Sequence, residues 1–463
     1  MSHENTENEH SRLQSPDVLH DGNSESSLPS PSGSWSPSNW GSDLPLSDVM
    51  AYLETYNERM YPVWPVVDVR WLKKVLQTNP SDCEICALAF AVCASTSANL
   101  QLNLNEHQRS GSSNSPGKYS VALTDRFAAE AERYRLMYDY RESSTREAIL
   151  IPLFLHLYYS TKPKRQTTSL LLREAVTLCQ FMGLDNEETY SDLDPEEESY
   201  RRRTFWLLYV TERGYAMQHD AGICLSEFIS LPSTDRSESQ ILQAFNSLVH
   251  LFVSVDGVLV NSNAGTGVGR RIWSRETLSR IQDELRQHHQ WPADWNEVQR
   301  SDVSITQQWL RMLVWQLSLK NVCMSSKATD DSMSFIYPAH VSRDALQSIS
   351  AVSIDALVAH GPGMQVKISD ITNTLLDVIT CVHSLSPDMF VQTCQILHEF
   401  CCYLARLNGN RGSLNWLHKR LAAESDVLLQ PVSGFKALAG SSYEEAYSFT
   451  EHMEEVSIDG EES

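Results

Sequence analysis

The chain has 463 residues, 41% of them hydrophobic and 21% charged, which is enough apolar sequence to bury a sizeable core in one or more domains. Its 37 Lys and Arg against 59 Asp and Glu give a net charge of −22, which excludes a protein that grips nucleic acid over its whole surface. The polar N-terminus and the lack of a long unbroken apolar run predict neither a signal peptide nor a membrane-spanning helix.

The first 45 residues contain 12 Ser and five Pro and carry a net charge of −6, because they hold seven acidic residues and one Arg. Almost nothing in this stretch can be buried, so we predict a disordered, acidic tail over residues 1–45. Trp35 and Trp40 are its isolated aromatic residues and are candidates for docking on a folded surface.

From residue 46 to about 425, apolar residues recur at spacings of three and four, which predicts one large helical domain. Asp68, Ser81-Asp82 and Asp194-Pro195 are expected to start helices, as is the capping box from Ser144 to Glu147, and Gly183 is expected to end one. Val63 to Val67, which contains Pro65, is the one candidate strand, so the predicted class is all-α, a bundle or solenoid-like stack. The predicted helices lie near residues 48–60, 68–76, 82–97, 117–140, 145–160, 165–183, 194–218, 238–260, 270–289, 302–325, 340–359, 366–384, 388–408 and 413–425.

Three Cys at positions 83, 86 and 93 have the spacing of half a binuclear zinc cluster. The next Cys is Cys179 and no Lys or Arg lies between Cys83 and Cys93, so we interpret the three thiols as core residues on one helical face. The stretch from Gly265 to Gly269 follows a helix and has no Lys-Ser/Thr ending, so it is interpreted as a loop and not as a phosphate cradle.

An acidic helical protein also suggests an enzyme of terpene-synthase type, which would need clustered carboxylates for magnesium. Asp330-Asp331 is the sole paired Asp and has no third carboxylate at a useful spacing, so no catalytic residue is predicted. The basic turn formed by Lys162, Lys164 and Arg165 has two interpretations, a nuclear-import signal or a solvated turn between helices.

Arg201, Arg202 and Arg203 follow Glu197 and Glu198 at the spacing of surface ion pairs on a helix. The same helix then becomes apolar on every side from Phe205 to Val210, which predicts the central helix of the domain with Glu212 and Arg213 paired at the end of its buried stretch.

These residues carry a resemblance to a known family. The segment RRRTFWLLYVTERGYAMQHDAGICLSEFISLPS at 201–233 resembles the signature of the fungal-specific transcription-factor domain, the helical regulatory region of fungal binuclear zinc-cluster regulators. YLETYNERMYPVWPVVD at 52–68 and SLLLREAVTLCQFMGLDN at 169–186 are similar to two further patterns of that family. The positions that match the signature, and to which the resemblance gives a structural or regulatory role, are Arg201, Arg202, Arg203, Phe205, Trp206, Tyr209, Glu212, Arg213 and Pro232.

Two departures from the family pattern limit what the resemblance implies. Asp220-Ala221-Gly222 stands where Gly-Arg-Pro is common, and the sequence holds no zinc cluster ahead of the domain. The resemblance therefore implies regulation of transcription without direct reading of DNA by this chain. No cofactor is expected, and zinc would enter only with a cluster-bearing segment ahead of Met1.

Residues 426–463 are predicted to be a linker and an acidic tail. Residues 441–463 hold eight acids among aromatic and aliphatic residues, which is typical of an activation segment and equally of a solubilising tail. We therefore expect a nuclear, non-enzymatic regulator of a metabolic pathway or of a secondary-metabolite gene cluster, with other regulators or coactivators as partners, promoter DNA reached indirectly and no membrane. A small-molecule effector, a homo- or heterodimer and a role as a zinc-cluster-free inhibitor of a full-length regulator are the open alternatives.

Overall fold

The computed structural model describes residues 40–102, 118–219, 221–226, 229–234, 238–263, 272–287, 292, 295–324, 330–382, 386–407 and 419–420. Both predicted tails, apart from residues 40–45, lie outside these residues, as do the Gly265 to Gly269 loop and most of the predicted 413–425 helix. Trp40 is described: its ring packs on Phe90, with the ring centroids 5.4 Å apart, so the folded part of the chain includes residues 40–45.

The predicted all-α class is confirmed, since every regular element in the described part of the chain is helical. The helices are α1 (Leu46–Thr55), α2 (Val69–Thr78), α3 (Cys83–Asn99), α4 (Lys118–Arg135), α5 (Arg146–Tyr159), α6 (Arg165–Phe181), α7 (Pro195–His219), α8 (Ser239–Asn263), α9 (Arg275–Gln287), α10 (Glu297–Asn321), α11 (Tyr337–Ser350), α12 (Ile354–Val358), α13 (Gly361–Cys381) and α14 (Pro387–Arg406). A π-helical turn, Tyr56–Met60, continues α1, and short 3-10 helices span Glu187–Tyr190 and Asp331–Met333.

Local signals place most helix ends correctly. The carboxylate of Asp68 accepts from the backbone N–H groups of Arg70 and Trp71, and Asp82 accepts from Ile85, so both act as the predicted N-caps. Gly183 has φ of +72° directly after α6, the left-handed conformation expected of a helix-ending glycine. Thr145, and not Ser144, caps α5, because it is the Thr145 hydroxyl that accepts from the N–H of Ala148.

Three predicted elements differ from the structure. Residues 63–67 form turns and extended chain and not a strand, because Pro65 cannot donate to a ladder and no partner strand is present among the described residues. Helix α4 ends at Arg135 and not near Tyr140. The helix predicted over 340–359 is two helices, since the hydroxyl of Ser353 accepts from Ala356 and starts α12.

The core is organised around α3, α7 and α10, each of which contains a long run of buried residues. Helix α3 packs against α1, α4 and α5, and α5 packs against α6. Helix α10 packs against α8, α9, α11 and α13, while α13 also packs against α14. Helix α7 contacts α5, α6 and α8, and thereby connects the first group of helices to the second. Helix α3 is apolar all round, and such a helix is expected to take a central position.

By length and composition, Ser239–Leu259 in α8 is apolar enough to cross a membrane, and half of its apolar window is buried within the protein. The residues of this stretch that are exposed are Gln240, Gln243, His250 and Gly257, whereas its Leu, Val and Phe side chains are buried or partly buried against neighbouring helices. Helix α8 therefore has the amphipathic pattern of a core helix.

Candidate functional site

The candidate site is built on helix α7, which begins as predicted. The Asp194 carboxylate accepts from the N–H of Glu196, and Pro195 occupies the first helical position. Phe205, Trp206 and Tyr209 are buried and contact one another, with ring centroids 5.3 Å apart for Phe205 and Trp206 and 5.0 Å apart for Trp206 and Tyr209. The prediction of a central, tryptophan-bearing helix is confirmed.

The three consecutive Arg residues occupy different environments. Arg201 makes the predicted pair with Glu197 at 2.7 Å, and both side chains are half-buried. Arg202 makes the predicted pair with Glu198 at 2.9 Å, but its side chain is buried, and it also binds Glu187 at 2.6 Å. The Arg202 hydrogen bonds lower the pKa of Glu187 to about 2. The prediction of a solvated surface pair is therefore wrong for Arg202, because residues 187–190 fold over it and Tyr190 stacks against its guanidinium.

Arg203 is also buried and ties α7 to two distant segments. Its Nη1 donates to the Tyr61 hydroxyl at 2.9 Å and to the Glu238 carboxylate at 2.8 Å, and its Nε donates to the Ser199 hydroxyl at 3.1 Å. The Tyr61 hydroxyl donates in turn to Glu238 at 2.9 Å. Burial raises the pKa of Tyr61 and of Tyr200, so both phenols keep their protons and remain donors.

Glu212 and Arg213 are paired at 3.2 Å, as predicted, and both side chains are almost completely buried. The Glu212 carboxylate also accepts from Arg173 at 2.7 Å and from the backbone N–H groups of Cys224 and Leu225 at 2.9 and 3.0 Å. Arg213 donates to Asp256 at 2.8 Å and to the Leu225 carbonyl at 2.7 Å. The pair therefore fastens the segment 221–226 against α6, α7 and α8.

The end of the signature is held in the same way. The indole of Trp206 donates to the Ser230 carbonyl at 3.1 Å, and the Arg202 guanidinium donates to the same oxygen at 3.1 Å. The Pro232 carbonyl accepts from the side-chain amide of Asn246 at 3.0 Å, on helix α8. Ala221 stands where the family commonly has Arg, and the carbonyl of the next residue, Gly222, accepts from Arg173 of helix α6.

Sequence reasoning missed the partners that complete this network, which are Arg173, Glu187, Asp256, Glu238 and Tyr61. Each lies far along the chain from the α7 residue that it contacts, or in a loop, so helical spacing cannot reveal the pair. The available signal was the run of three Arg directly before the apolar stretch of α7, since any Arg buried there requires a compensating anion.

Two of the three Cys of α3 are core residues, as interpreted, whereas Cys83 at the start of the helix is half-buried. Cys86 and Cys93 are buried, and the Cys93 thiol lies 3.6 Å from the Val49 carbonyl, to which it donates. Burial raises the pKa of Cys86 to about 12 and that of Cys93 further, so these thiols stay protonated and are poor metal ligands. Within the described residues, no group of three or more His, Cys, Asp or Glu side chains is placed to hold a metal ion.

The Asp330-Asp331 pair has a structural role. Asp330 caps a 3-10 helix by accepting from the N–H of Ser332, and it accepts from the Ser279 hydroxyl at 2.6 Å. Asp331 pairs with His340 at 3.0 Å. Both carboxylates are therefore engaged by protein donors and connect α9 to α11, which does not resemble the convergent carboxylates of a magnesium-dependent enzyme.

One arrangement has the residue types of a hydrolase triad. The Ser301 hydroxyl lies 3.1 Å from Nε2 of His360, and Nδ1 of His360 lies 3.8 Å from the Asp302 carboxylate. The His360 Nε2 also lies 2.9 Å from the Val298 carbonyl, which only accepts, so this nitrogen carries the proton and is unable to take one from serine. Ser301 is fully buried, so the arrangement is a satisfied core cluster.

The basic turn between α5 and α6 is already engaged by the folded chain. Lys162 pairs with Asp125 at 2.7 Å, Lys164 lies over the Tyr159 ring at 5.0 Å, and Arg165 donates to the His219 carbonyl at 3.1 Å. Lys164 and Arg165 are exposed, so a role for this turn in nuclear import stays a prediction.

The geometry of the signature helix agrees with a comparison to known families, in which the chain matches the fungal specific transcription factor domain over residues 53–242. Residues 53–242 are thus similar to a fungal specific transcription factor domain. In the structure the matched residues comprise only the end of α1, from Leu53 to Thr55, all of α2 to α7 and the beginning of α8.

The chain is similar, over about three quarters of its length, to fungal proteins named for the use of sugars and for respiration. The chain is 26% identical over 347 residues to the probable sucrose utilization protein SUC1 of Candida albicans, covering 74% of this chain and 66% of that protein. It is 24% identical over 360 residues to the maltose fermentation regulatory protein MAL13 of Saccharomyces cerevisiae, covering 77% and 72% of the two chains. It is 24% identical to the respiratory transcription factor ZNF1 of the same yeast, over 71% and 68%.

The predictions of this family and of transcription regulation are confirmed by these matches. The matched family and two of these three relatives are named as transcription factors or regulatory proteins, and none of the three is named as an enzyme. The chain spans about two thirds of the length of the relatives that it matches. Control of a secondary-metabolite cluster stays a prediction, as does the regulatory role of each signature residue.

Proposed function

We propose that this chain regulates the transcription of genes for the use of a carbon source, and has no catalytic step of its own. The observation that carries the proposal is the transcription factor domain at 53–242, whose signature helix α7 is intact and buried at the centre of the fold. The relatives support the choice of pathway, because they are named for sucrose utilization, maltose fermentation and respiration.

We further propose that the protein works in the nucleus with other regulators or coactivators. The acidic segment 426–463, which lies outside the described residues, would supply the contact with coactivators. The net negative charge of the chain repels the phosphate groups of DNA, so the protein would reach promoter DNA through a partner. A homo- or heterodimer with another regulator fits the same scheme, and a small effector would set its activity.

Deletion of the gene, followed by transcript profiling on several carbon sources, tests the proposal. Loss of transcripts for sugar uptake and hydrolysis supports an activator, and their rise supports the alternative of a zinc-cluster-free inhibitor of a full-length regulator. Unchanged transcripts on every carbon source, together with no enrichment at any promoter by chromatin immunoprecipitation, would refute both. Accumulation of an unconverted metabolite with unchanged transcripts would favour the terpene-synthase-type alternative.

Nuclear import is tested with the exposed residues of the basic turn. We expect Lys164→Ala with Arg165→Ala to reduce nuclear accumulation of the fluorescently tagged full chain, because the two side chains are the accessible cations of that turn. Arg70→Ala with Lys74→Ala is the matched control, a pair of exposed cations one turn apart on α2. Equal effects of the two double variants would contradict a specific import signal.

A further inference from the structure

A polar cleft opens beside the Arg203 network. Its volume is 310 Å³, at the lower end of the range for small-molecule sites, which is about 300–1,000 Å³. Three stretches of the chain line it: the segment from Asn57 to Arg70, the first turns of α7 from Glu196 to Arg203, and Glu238 just before α8. The cleft thus lies where the start of the folded chain, the signature helix and the start of α8 meet.

The inner wall of the cleft is rigid and already hydrogen-bonded. Arg203 and Tyr61 are buried and both bind Glu238, while the Tyr200 hydroxyl lies 3.4 Å from that of Tyr61. Because these groups are fixed before any ligand arrives, their placement costs little entropy on binding. The Nη2 of Arg203 makes no hydrogen bond to the described residues, although Nε and Nη1 of the same guanidinium do.

The outer rim of the cleft offers groups that the fold does not use. Arg70 is exposed, and its guanidinium makes no ion pair or hydrogen bond to the described residues. The exposed Asn57 donates to Glu54 at 3.3 Å and has its carbonyl oxygen left as an acceptor. The rim and the inner wall together present hydrogen-bond donors beside hydrogen-bond acceptors. This lining suits a ligand whose groups can both donate and accept hydrogen bonds.

The charges of the cleft disfavour an anionic ligand. Three carboxylates line it, those of Asp68, Glu196 and Glu238, against the two guanidiniums of Arg70 and Arg203. Arg203 is already neutralised by Glu238 at 2.8 Å, so little positive potential remains to hold an anion. Hydroxyl groups both donate and accept, and therefore match carboxylate, phenol, amide and guanidinium neighbours without a net charge.

We infer that this cleft binds a neutral, polyhydroxylated small molecule such as a mono- or disaccharide, and that this ligand is the effector of the regulator. The inference deepens the proposed function. Only the role of the ligand as an effector rests on that function, and the binding of the ligand does not. A ligand in the cleft would contact the 57–70 segment, α7 and Glu238, and would therefore stabilise the packing of these elements against one another. It thereby connects the signature helix to the helices packed around α10.

Isothermal titration calorimetry on the full chain tests the site, with maltose, sucrose and glucose as neutral probes and inorganic phosphate as the anionic probe. We expect saturable binding of a sugar probe and none of phosphate. Arg70→Ala and Asn57→Ala should each weaken sugar binding by about tenfold, the effect of losing one hydrogen bond to a charged or well-placed polar group. Both residues are exposed, so neither variant disturbs the core.

Two neighbouring exposed residues outside the cleft provide matched controls. Lys74→Ala, on the same helix as Arg70, and Glu58→Ala, next to Asn57, should leave the dissociation constant unchanged. Equal weakening by the control variants, binding of phosphate ahead of the sugars, or no saturation by any sugar probe would each overturn the inference. Transcript profiling is independent of this titration. If the chain controls transcripts but binds no sugar, the inference of a sugar-binding cleft is refuted and the proposed function still stands.

Discussion

Replacing Glu212 with Gln tests whether the buried charges of α7 hold the fold together. One carboxylate oxygen accepts from Arg173 and the N–H of Cys224, and the other accepts from Arg213 and the N–H of Leu225. The amide of Gln has only one oxygen, so in either orientation its NH₂ group faces two donors. The nearly inaccessible Arg213 then keeps Asp256 as its one remaining anion.

Removing one partner from a buried pair costs about 3–5 kcal/mol, a large part of the total of about 5–15 kcal/mol that holds a typical domain folded. We therefore expect Glu212→Gln to lower the free energy of unfolding by about that amount, measured by urea denaturation of the full chain. Hydrogen exchange should show lost protection at the N–H groups of Cys224 and Leu225.

The matched control is Glu284→Gln in helix α9, where an exposed Glu284 pairs with an exposed Arg280 one turn away. Such surface pairs contribute about 0.3–0.5 kcal/mol. If Glu212→Gln costs no more than this control, or if Cys224 and Leu225 keep their protection, the buried pair does not fasten segment 221–226 and the reasoning fails.

Three further predictions concern stability. Thr145→Ala should cost about 1 kcal/mol in urea denaturation and Ser144→Ala less than about 0.5 kcal/mol, because Thr145 caps α5; the reverse order would contradict the assigned cap. Gly361→Ala should lower the melting temperature, because Gly361 has φ of +59° and an added Cβ would collide with Asn99, whereas Gly363→Ala, in open space on the same helix, should not. Burial lowers the pKa of His156 to about 4, below its value of about 6.5 in an unfolded chain, so the unfolded chain takes up the proton first as the pH falls. Stability from this group is complete above pH of about 6.5 and is lost towards pH of about 4, and the pH dependence of unfolding should flatten over that interval in His156→Gln.

The elements that sequence predicted best are those fixed by neighbouring residues. Asp68, Asp82 and Gly183 act on backbone groups within a few positions, so their roles can be read from local sequence. The break between α11 and α12 was missed although Ser353 is a local cap, because apolar spacing continues across it and suggests one helix.

The candidate site was predicted only in part. The apolar helix with its Glu212 and Arg213 pair follows from composition, since a run such as Phe205 to Val210 has no polar face to expose. The burial of Arg202 and Arg203 did not follow, because it depends on residues 187–190 and on Glu238, which approach only in the folded chain. The cleft could not be predicted, because three separate stretches of the chain form it and no single stretch has a sequence pattern that indicates it.

Helix α8 determines where an expression fragment of this protein can end. The family match stops at Leu242, four residues into that helix, yet the apolar side chains that follow, from Ala244 to Leu259, are largely buried against α7 and α10. Without these side chains the fold would lose stabilisation from apolar burial on the order of 10 kcal/mol, which is comparable with the whole free energy of unfolding of a domain. An expression fragment cut at the family boundary should therefore aggregate, whereas one extended through Arg406 retains the interior that α7 requires.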